Sequence, residues 1–371
     1  MRVLRSAVEG RHTWGLGLVA LGMFTLGVSQ TGAEVWPHEP TAPVDAEDVP
    51  FARRVDPEID RQMRSLEWRC VGPFVGVRGC GVEMHPTKRN VFYHAHSSGG
   101  VWKSEDAGQY WIPITDGQIN VGSVGAIAVS RSRPDTIYIG TGEPQLRDCV
   151  SWGDGVYKST DGGDSWQHLG LKETRNISRV RIHPDNPDLV FVAAIGNPFG
   201  PSKDRGIYRS KDGGETWEQV FFKHEQAGVI DLVMCDHDPD ILYASTFEVF
   251  RRTWGLKAGG PNSGIFKSTD GGDTWEELTR NPGLPSDDLG RIGLAHSKDM
   301  PDRITALIDS KEKNGLYQSE DGGKTWTWLT DHVGITQRPF YYYHLHARPQ
   351  DGNELWVASV SYTHLRAHET S

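Results

Sequence analysis

The sequence predicts an all-β fold, a β-propeller of four-stranded blades, and three observations predict it. An eight-residue unit occurs five times: Ser104–Trp111 (SEDAGQYW), Ser159–Trp166 (STDGGDSW), Ser210–Trp217 (SKDGGETW), Ser268–Trp275 (STDGGDTW) and Ser319–Trp326 (SEDGGKTW). The closing Trp111, Trp166, Trp217, Trp275 and Trp326 stand 55, 51, 58 and 51 residues apart, the regularity of a structural repeat. Upstream of the units runs the same pair of β-forming segments, separated by a Pro-Asp turn.

The unit itself reads as a hairpin turn with an anchor. The aspartates Asp106, Asp161, Asp212, Asp270 and Asp321 suit a tight turn because a carboxylate accepts hydrogen bonds from backbone N–H groups a few residues on. The glycine pairs take positive φ without a Cβ clash, and the tryptophan returns a large apolar ring toward the neighbouring sheet. Ahead of the second unit, Val124–Val129 leads through Pro134-Asp135 to Thr136–Gly140 and then Gly155–Lys158. The third has Val180–Ile182, Pro187-Asp188, Leu189–Ala193 and Gly206–Arg209; the fourth has Val229–Met234, Pro239-Asp240, Ile241–Ala244 and Gly264–Lys267. Three strands, the unit turn and a fourth strand make one blade.

In chain order, residues 1–33 place Arg2, Arg5 and Arg11 ahead of an apolar run from Trp14 to Val28, followed by Thr31-Gly32-Ala33. This pattern is that of a secretory signal peptide, the alternative being an uncleaved membrane anchor. Residues 34–65 read as a Pro- and acid-rich linker with a short helix opening at Asp56-Pro57. The propeller is expected over 66–360, with Trp68–Phe74 as a partner strand that would close the ring. Residues 361–371 lack repeat character, resemble a translated sequencing adapter and are read as a non-native tail on a truncated gene, which makes an incomplete seven-bladed ring the expectation.

The net charge of −10 argues against a nucleic-acid partner, since phosphate recognition uses a basic face. Beyond the first segment no apolar run approaches a membrane span, so the processed chain is not read as an integral membrane protein. The four cysteines, Cys70, Cys80, Cys149 and Cys235, do not make a disulfide scaffold; Cys70 and Cys80 are the pair closest in sequence, and Cys235 ends an apolar strand, where buried free thiols are common. With neither a CxxC pair nor paired Cys/His spacing, the sequence assigns no metal and no cofactor.

The repeated units are similar to Asp-boxes, the bacterial neuraminidase repeats. From about Leu66 to Ala358 the chain resembles secreted bacterial proteins of the sortilin N-terminal and glycosyl hydrolase-like propeller type. Trp68–Gly79, Gly99–Ser104, Gly140–Glu143, Gly153–Ser159 and Gln337–Tyr341 carry the resemblance. It implies that the boxes lie at the periphery while ligands bind where loops converge on the channel mouth. The sialidases that share the repeat have an Arg-Ile-Pro opening motif absent from this chain. The related xyloglucan-cleaving glycosidases have an aspartate just ahead of a Gly-Gly pair in their first blade; here the stretch reads His96-Ser97-Ser98-Gly99-Gly100, a hydroxyl where a carboxylate would act.

Candidate ligand-binding residues come from the loops that break the repeat. Glu143–Asp154 brings Glu143, Arg147 and Asp154 together with Trp152, and the insertion Phe247–Ser263 holds Arg251, Arg252 and Trp254. Carboxylates, arginines and an aromatic platform are what a polar binding pocket requires. Eight residues before each turn proline stand Ala126, Arg179 and Asp231, equivalent inner-strand slots in which Arg179 and Asp231 are expected to pair. No catalytic residue is assigned. The expectation is an exported propeller that binds extracellular carbohydrate or a protein partner; the alternatives are a glycoside hydrolase with channel-mouth carboxylates and an assembly factor.

Overall fold

The computed structural model describes residues 78–147, 149–359 and 363–366, the last four by their backbone. The expected export segment, the expected linker and its helix, the expected strand at Trp68–Phe74, and Cys70 lie outside the described residues.

Among the described residues six antiparallel sheets follow one another along the chain. Blade 1 contains Gly79–Met84, Phe92–His96, Val101–Ser104 and Ile112–Pro113; blade 2 contains Val124–Val129, Ile137–Thr141, Val156–Ser159 and Gln167–His168. Blade 3 contains Ile177–Ile182, Val190–Ala194, Gly206–Ser210 and Glu218–Phe221. Blade 4 contains Ala227–Met234, Leu242–Arg252, Gly264–Ser268 and Glu276–Glu277, and Gly255–Ala258 folds back on its long second strand. Blade 5 contains Ile292–His296, Ile304–Ile308, Gly315–Ser319 and Thr327–Thr330. The sixth sheet pairs His344–Arg348, Asp351–Ala358 and Thr363–Arg366. The first strands of successive sheets contact one another. The fold is therefore the β-propeller expected from the repeats.

The second strands of blades 2, 3 and 5, Ile137–Thr141, Val190–Ala194 and Ile304–Ile308, are short apolar runs buried on both faces. Between blades lie separate apolar clusters, for example Phe191, Ile207, Val229, Leu242 and Phe266 between blades 3 and 4. Burial of this kind is worth roughly 25 cal/mol per Å² and is the main force holding neighbouring sheets face to face.

The boxes are the turns between third and fourth strands. In blade 2, Ser159 Oγ donates to Asp161 Oδ1 at 2.7 Å and accepts the N–H of Gly163 at 2.8 Å, while Asp161 Oδ1 accepts the N–H of Ser165 at 2.9 Å. Gly162 and Gly163 have φ of 74° and 100°, which a side chain would resist. Blade 1 breaks this rule, for Ala107 stands there with φ of 63°. Asp106, Asp161, Asp212 and Asp270 are solvent-exposed and Asp321 is half-buried, and Trp111, Trp166, Trp217 and Trp275 are half-buried while Trp326 is buried.

The boxes also couple blades. The residue just before the box serine donates to a glycine carbonyl of the next box: Lys158 Nζ to Gly213 at 3.0 Å, Arg209 Nη1 to Gly271 at 2.7 Å and Lys267 Nζ to Gly322 at 3.1 Å. Tyr138 and Tyr243 add their hydroxyls to the carbonyls of Gly213 and Gly322. In return, Trp166 and Trp217 donate Nε1–H to the carbonyls of Ile114 and Leu169 in the preceding blade.

A candidate binding face

Antiparallel order puts the box turns and the Pro-Asp turns at one end of the blades and the connections between second and third strands at the other. Glu143–Asp154 and the blade 4 insertion are such connections, as is the loop around Phe199 in blade 3. This second end is the loop face.

There, the two insertions named by the sequence meet in one apolar cluster. Leu146, Ile195, Ile230, Phe247 and Val249 are buried together, with Val150, Leu256 and Phe340 packed against them. Beneath the cluster runs a polar chain. Cys80 Sγ lies 3.3 Å from Gln145 Oε1, the Gln145 amide 3.4 Å from His344 Nε2, and His344 Nδ1 3.2 Å from Arg179 Nη2. Arg179 Nε then donates to Asp231 Oδ1 at 2.8 Å. Because a guanidinium only donates, Nδ1 of His344 accepts. Burial, then Arg291 and Arg179, hold this histidine neutral by pushing its pKa well down.

The sequence candidates divide between structure and surface. Glu143 is fully buried, paired with Arg78 at 2.6 Å (Nη2) and 2.9 Å (Nε). Burial pushes its carboxyl up against the pull of Arg78. Asp154 is buried and accepts from Tyr157 Oη at 2.8 Å and Asn120 Nδ2 at 3.0 Å. Arg147 is exposed, Arg251 is half-buried, and the backbone N–H of Arg251 donates to the carbonyl of Pro198 at 2.7 Å. Arg252 sets its guanidinium 4.6 Å from the Phe250 ring and 5.5 Å from the Trp254 ring. Trp254 is 79% exposed.

Trp152 belongs to the loop the sequence singled out, whereas Phe199 and Arg205 carry no spacing signal of their own. Trp152 is 53% exposed, with Arg175 stacked 4.6 Å above its ring. Phe199, 37% exposed, lies 6.4 Å from Trp152 between ring centres. Arg205, fully buried, donates through Nη2 to the carbonyls of Asn197 and Gly200 and so fixes the loop that presents Phe199. Trp152, Phe199 and the Arg252–Trp254 tip thus stand on adjacent loops of blades 2, 3 and 4, joined by the Pro198–Arg251 hydrogen bond. Aromatic rings with flanking guanidinium groups make a surface that stacks on flat apolar faces and bonds polar rims.

One carboxylate pair at this end is split in acidity. Asp309, at the end of a blade 5 strand, is pushed up to about 6 by burial and then by nearby Asp287. Burial opposes ionisation of Asp287 too, but hydrogen bonds from Ser310 and from the Lys311 and Glu312 N–H groups hold it below the usual range. Ser98, the hydroxyl residue just ahead of Gly99-Gly100, is exposed in the turn after Phe92–His96.

Blades, boxes and loop face together define a propeller protein whose variable loops gather at one end. A family model described as "Sortilin, neurotensin receptor 3" matches residues 205–351. A Paenibacillus sp xyloglucanase is 28% identical, over 58% of this chain and 22% of that protein. Xyloglucanase Xgh74A of Acetivibrio thermocellus is 26% identical, over 70% of this chain and 32% of that protein. The chain thus spans a third or less of the length of these two relatives. The crystal structure of an ancestral GH74 enzyme superposes with a TM-score of 0.57 at 21% identity, covering 78% of this chain and 36% of that one. Among the described residues no helix is long and apolar enough to cross a membrane.

Proposed function

We propose that this propeller binds a neutral polysaccharide chain along the loop face, outside the cell, with Trp152, Phe199 and Trp254 as the stacking platform. The observation that carries the reading is the run of exposed aromatic rings across three adjacent blades, two of them paired with the guanidinium groups of Arg175 and Arg252. Sugar rings offer a flat C–H face to such a platform and hydroxyls to its polar rim. The likeness to xyloglucanases supports a β-linked plant glucan as the ligand class. Glu143, Asp154 and Glu248, buried and hydrogen-bonded, hold the loops rather than face the ligand.

Affinity electrophoresis in gels containing xyloglucan tests this reading. The wild-type chain is retarded, and Trp152→Ala and Trp254→Ala each lose about tenfold or more in affinity, about 1.4 kcal/mol, with unchanged melting. Equal migration with and without polysaccharide overturns it.

A second reading, hydrolysis of the same chain, draws on the likeness to xyloglucanases, with Asp309 at the loop-face end of a blade 5 strand as the carboxyl to test. Release of reducing ends by the wild type, abolished in Asp309→Asn, would establish it.

A further inference from the structure

At the opposite end of the blades the structure brings together three residues that the sequence spacing does not connect. Cys235 follows the first strand of blade 4, His237 lies in the Pro-Asp turn beyond it, and His296 ends the first strand of blade 5. One ligand atom from each, the cysteine sulfur and a ring nitrogen of either histidine, lies within 4.8 Å of the other two. Their surroundings are graded: Cys235 is buried, His296 half-buried and His237 exposed.

We propose that Cys235, His237 and His296 form a metal site for a zinc-class divalent cation that ties blade 4 to blade 5. Thiolate and imidazole are the donors such borderline-soft ions select. Tetrahedral coordination at about 2.0–2.3 Å from the metal puts ligand atoms roughly 3.3–3.8 Å apart. Closure therefore takes a movement of about 1 Å, within reach of a rotation of the exposed His237 side chain.

The surroundings favour this use. The second ring of the site is already anchored: His296 Nε2 lies 3.0 Å from the carbonyl of Pro301, so its proton sits on Nε2 and the lone pair on Nδ1. A ring N–H held by a backbone carbonyl is the outer-shell contact that orients ligating histidines. The two imidazoles stack at 5.3 Å between ring centres with an interplanar angle of 27°, which holds the two rings as neighbours. Asp236, between two of the ligands in sequence, is engaged by Arg131 at 2.6 Å, which fixes the turn from the blade 2 side. Metal binding forms the sulfur–metal bond as the thiol proton passes to solvent, and the fourth position is left for water on the exposed side.

The test uses the full chain, stripped with a chelator and titrated with Co²⁺ as a spectroscopic probe, then with Zn²⁺. One equivalent of Co²⁺ is expected to give thiolate-to-metal charge-transfer absorption in the near ultraviolet together with tetrahedral d–d bands. Zn²⁺ bleaches these bands and raises the melting temperature; Mg²⁺ does neither. His237→Gln, a change at an exposed residue, and Cys235→Ala both abolish the bands, and circular dichroism checks that each variant is folded. Should Cys235→Ala not fold, His237→Gln alone decides. Absence of the bands in the wild type, or their persistence in folded His237→Gln, overturns the proposal.

Discussion

Arg179 and Asp231 stand in equivalent places on neighbouring blades, and their side chains meet at 2.8 Å between Nε and Oδ1. Asp231 Oδ2 also accepts the N–H of Leu294 at 3.1 Å, so one carboxylate joins the first strands of blades 3, 4 and 5. Burial opposes its charge, yet Arg179 and that N–H hold it below the usual carboxylate range. A register shift between Val229 and Asp231 interrupts the pairing of the strand at this point.

Removing one partner of such a pair leaves an uncompensated buried charge. Asp231→Asn is expected to cost about 3–5 kcal/mol in urea unfolding, and the double change Arg179→Met with Asp231→Leu to recover most of it. If the single variant unfolds at the wild-type midpoint, the pair does not hold the blades.

Ala107 occupies a left-handed conformation where the other boxes carry glycine. Ala107→Gly relieves that strain at some cost in chain entropy and is expected to stabilise by about 0.5–1 kcal/mol. The readout is the denaturation midpoint. The reverse change, Gly162→Ala in blade 2, should destabilise by a similar amount.

Lys158 grips the carbonyl of Gly213, assisted by Tyr138. Lys158→Met keeps the stem and removes the donor, at an expected cost of about 1–2 kcal/mol. Amides of Ser210–Trp217 should lose hydrogen-exchange protection while those of Ser268–Trp275 keep theirs.

Stability should respond to pH in two opposed limbs. Hydrogen bonds from Thr274 and Thr325 hold Asp270 and Asp321 at about 2, so their contribution is full above the unfolded carboxyl pKa and is lost as pH falls from about 4 to 2. Asp309, raised to about 6, works the other way: its contribution is full below about pH 4 and is lost as pH rises through 6. Urea midpoints between about pH 2 and 8 should show both limbs, and Asp309→Asn should remove only the upper one, worth up to about 2–3 kcal/mol.

What the sequence disclosed follows from where its information is local. Box turns and strands repeat within 51–58 residues, so blade order could be read directly, and counting back from the turn prolines placed Arg179 opposite Asp231. Glu143 and Arg78 are 65 residues apart, and Gln145 and His344 are 199 apart, in no common register with the repeat. The same holds for Cys235 and His296, which stand in neighbouring blades with unlike residues between them. Exposure of Trp152 and Phe199 likewise depends on how Arg205 and the blade 4 hairpin fold the loop beside them, which composition does not record.

The grip on the boxes of blades 3, 4 and 5 by the blade before has a further meaning for how the chain is made. Lys158, Arg209 and Lys267 all reach forward by one repeat, and Trp166 and Trp217 reach back by one. Blades 3, 4 and 5 thus each meet a partner only about fifty residues behind them as they leave the ribosome, a spacing that suits sheet-by-sheet assembly from the amino-terminal side.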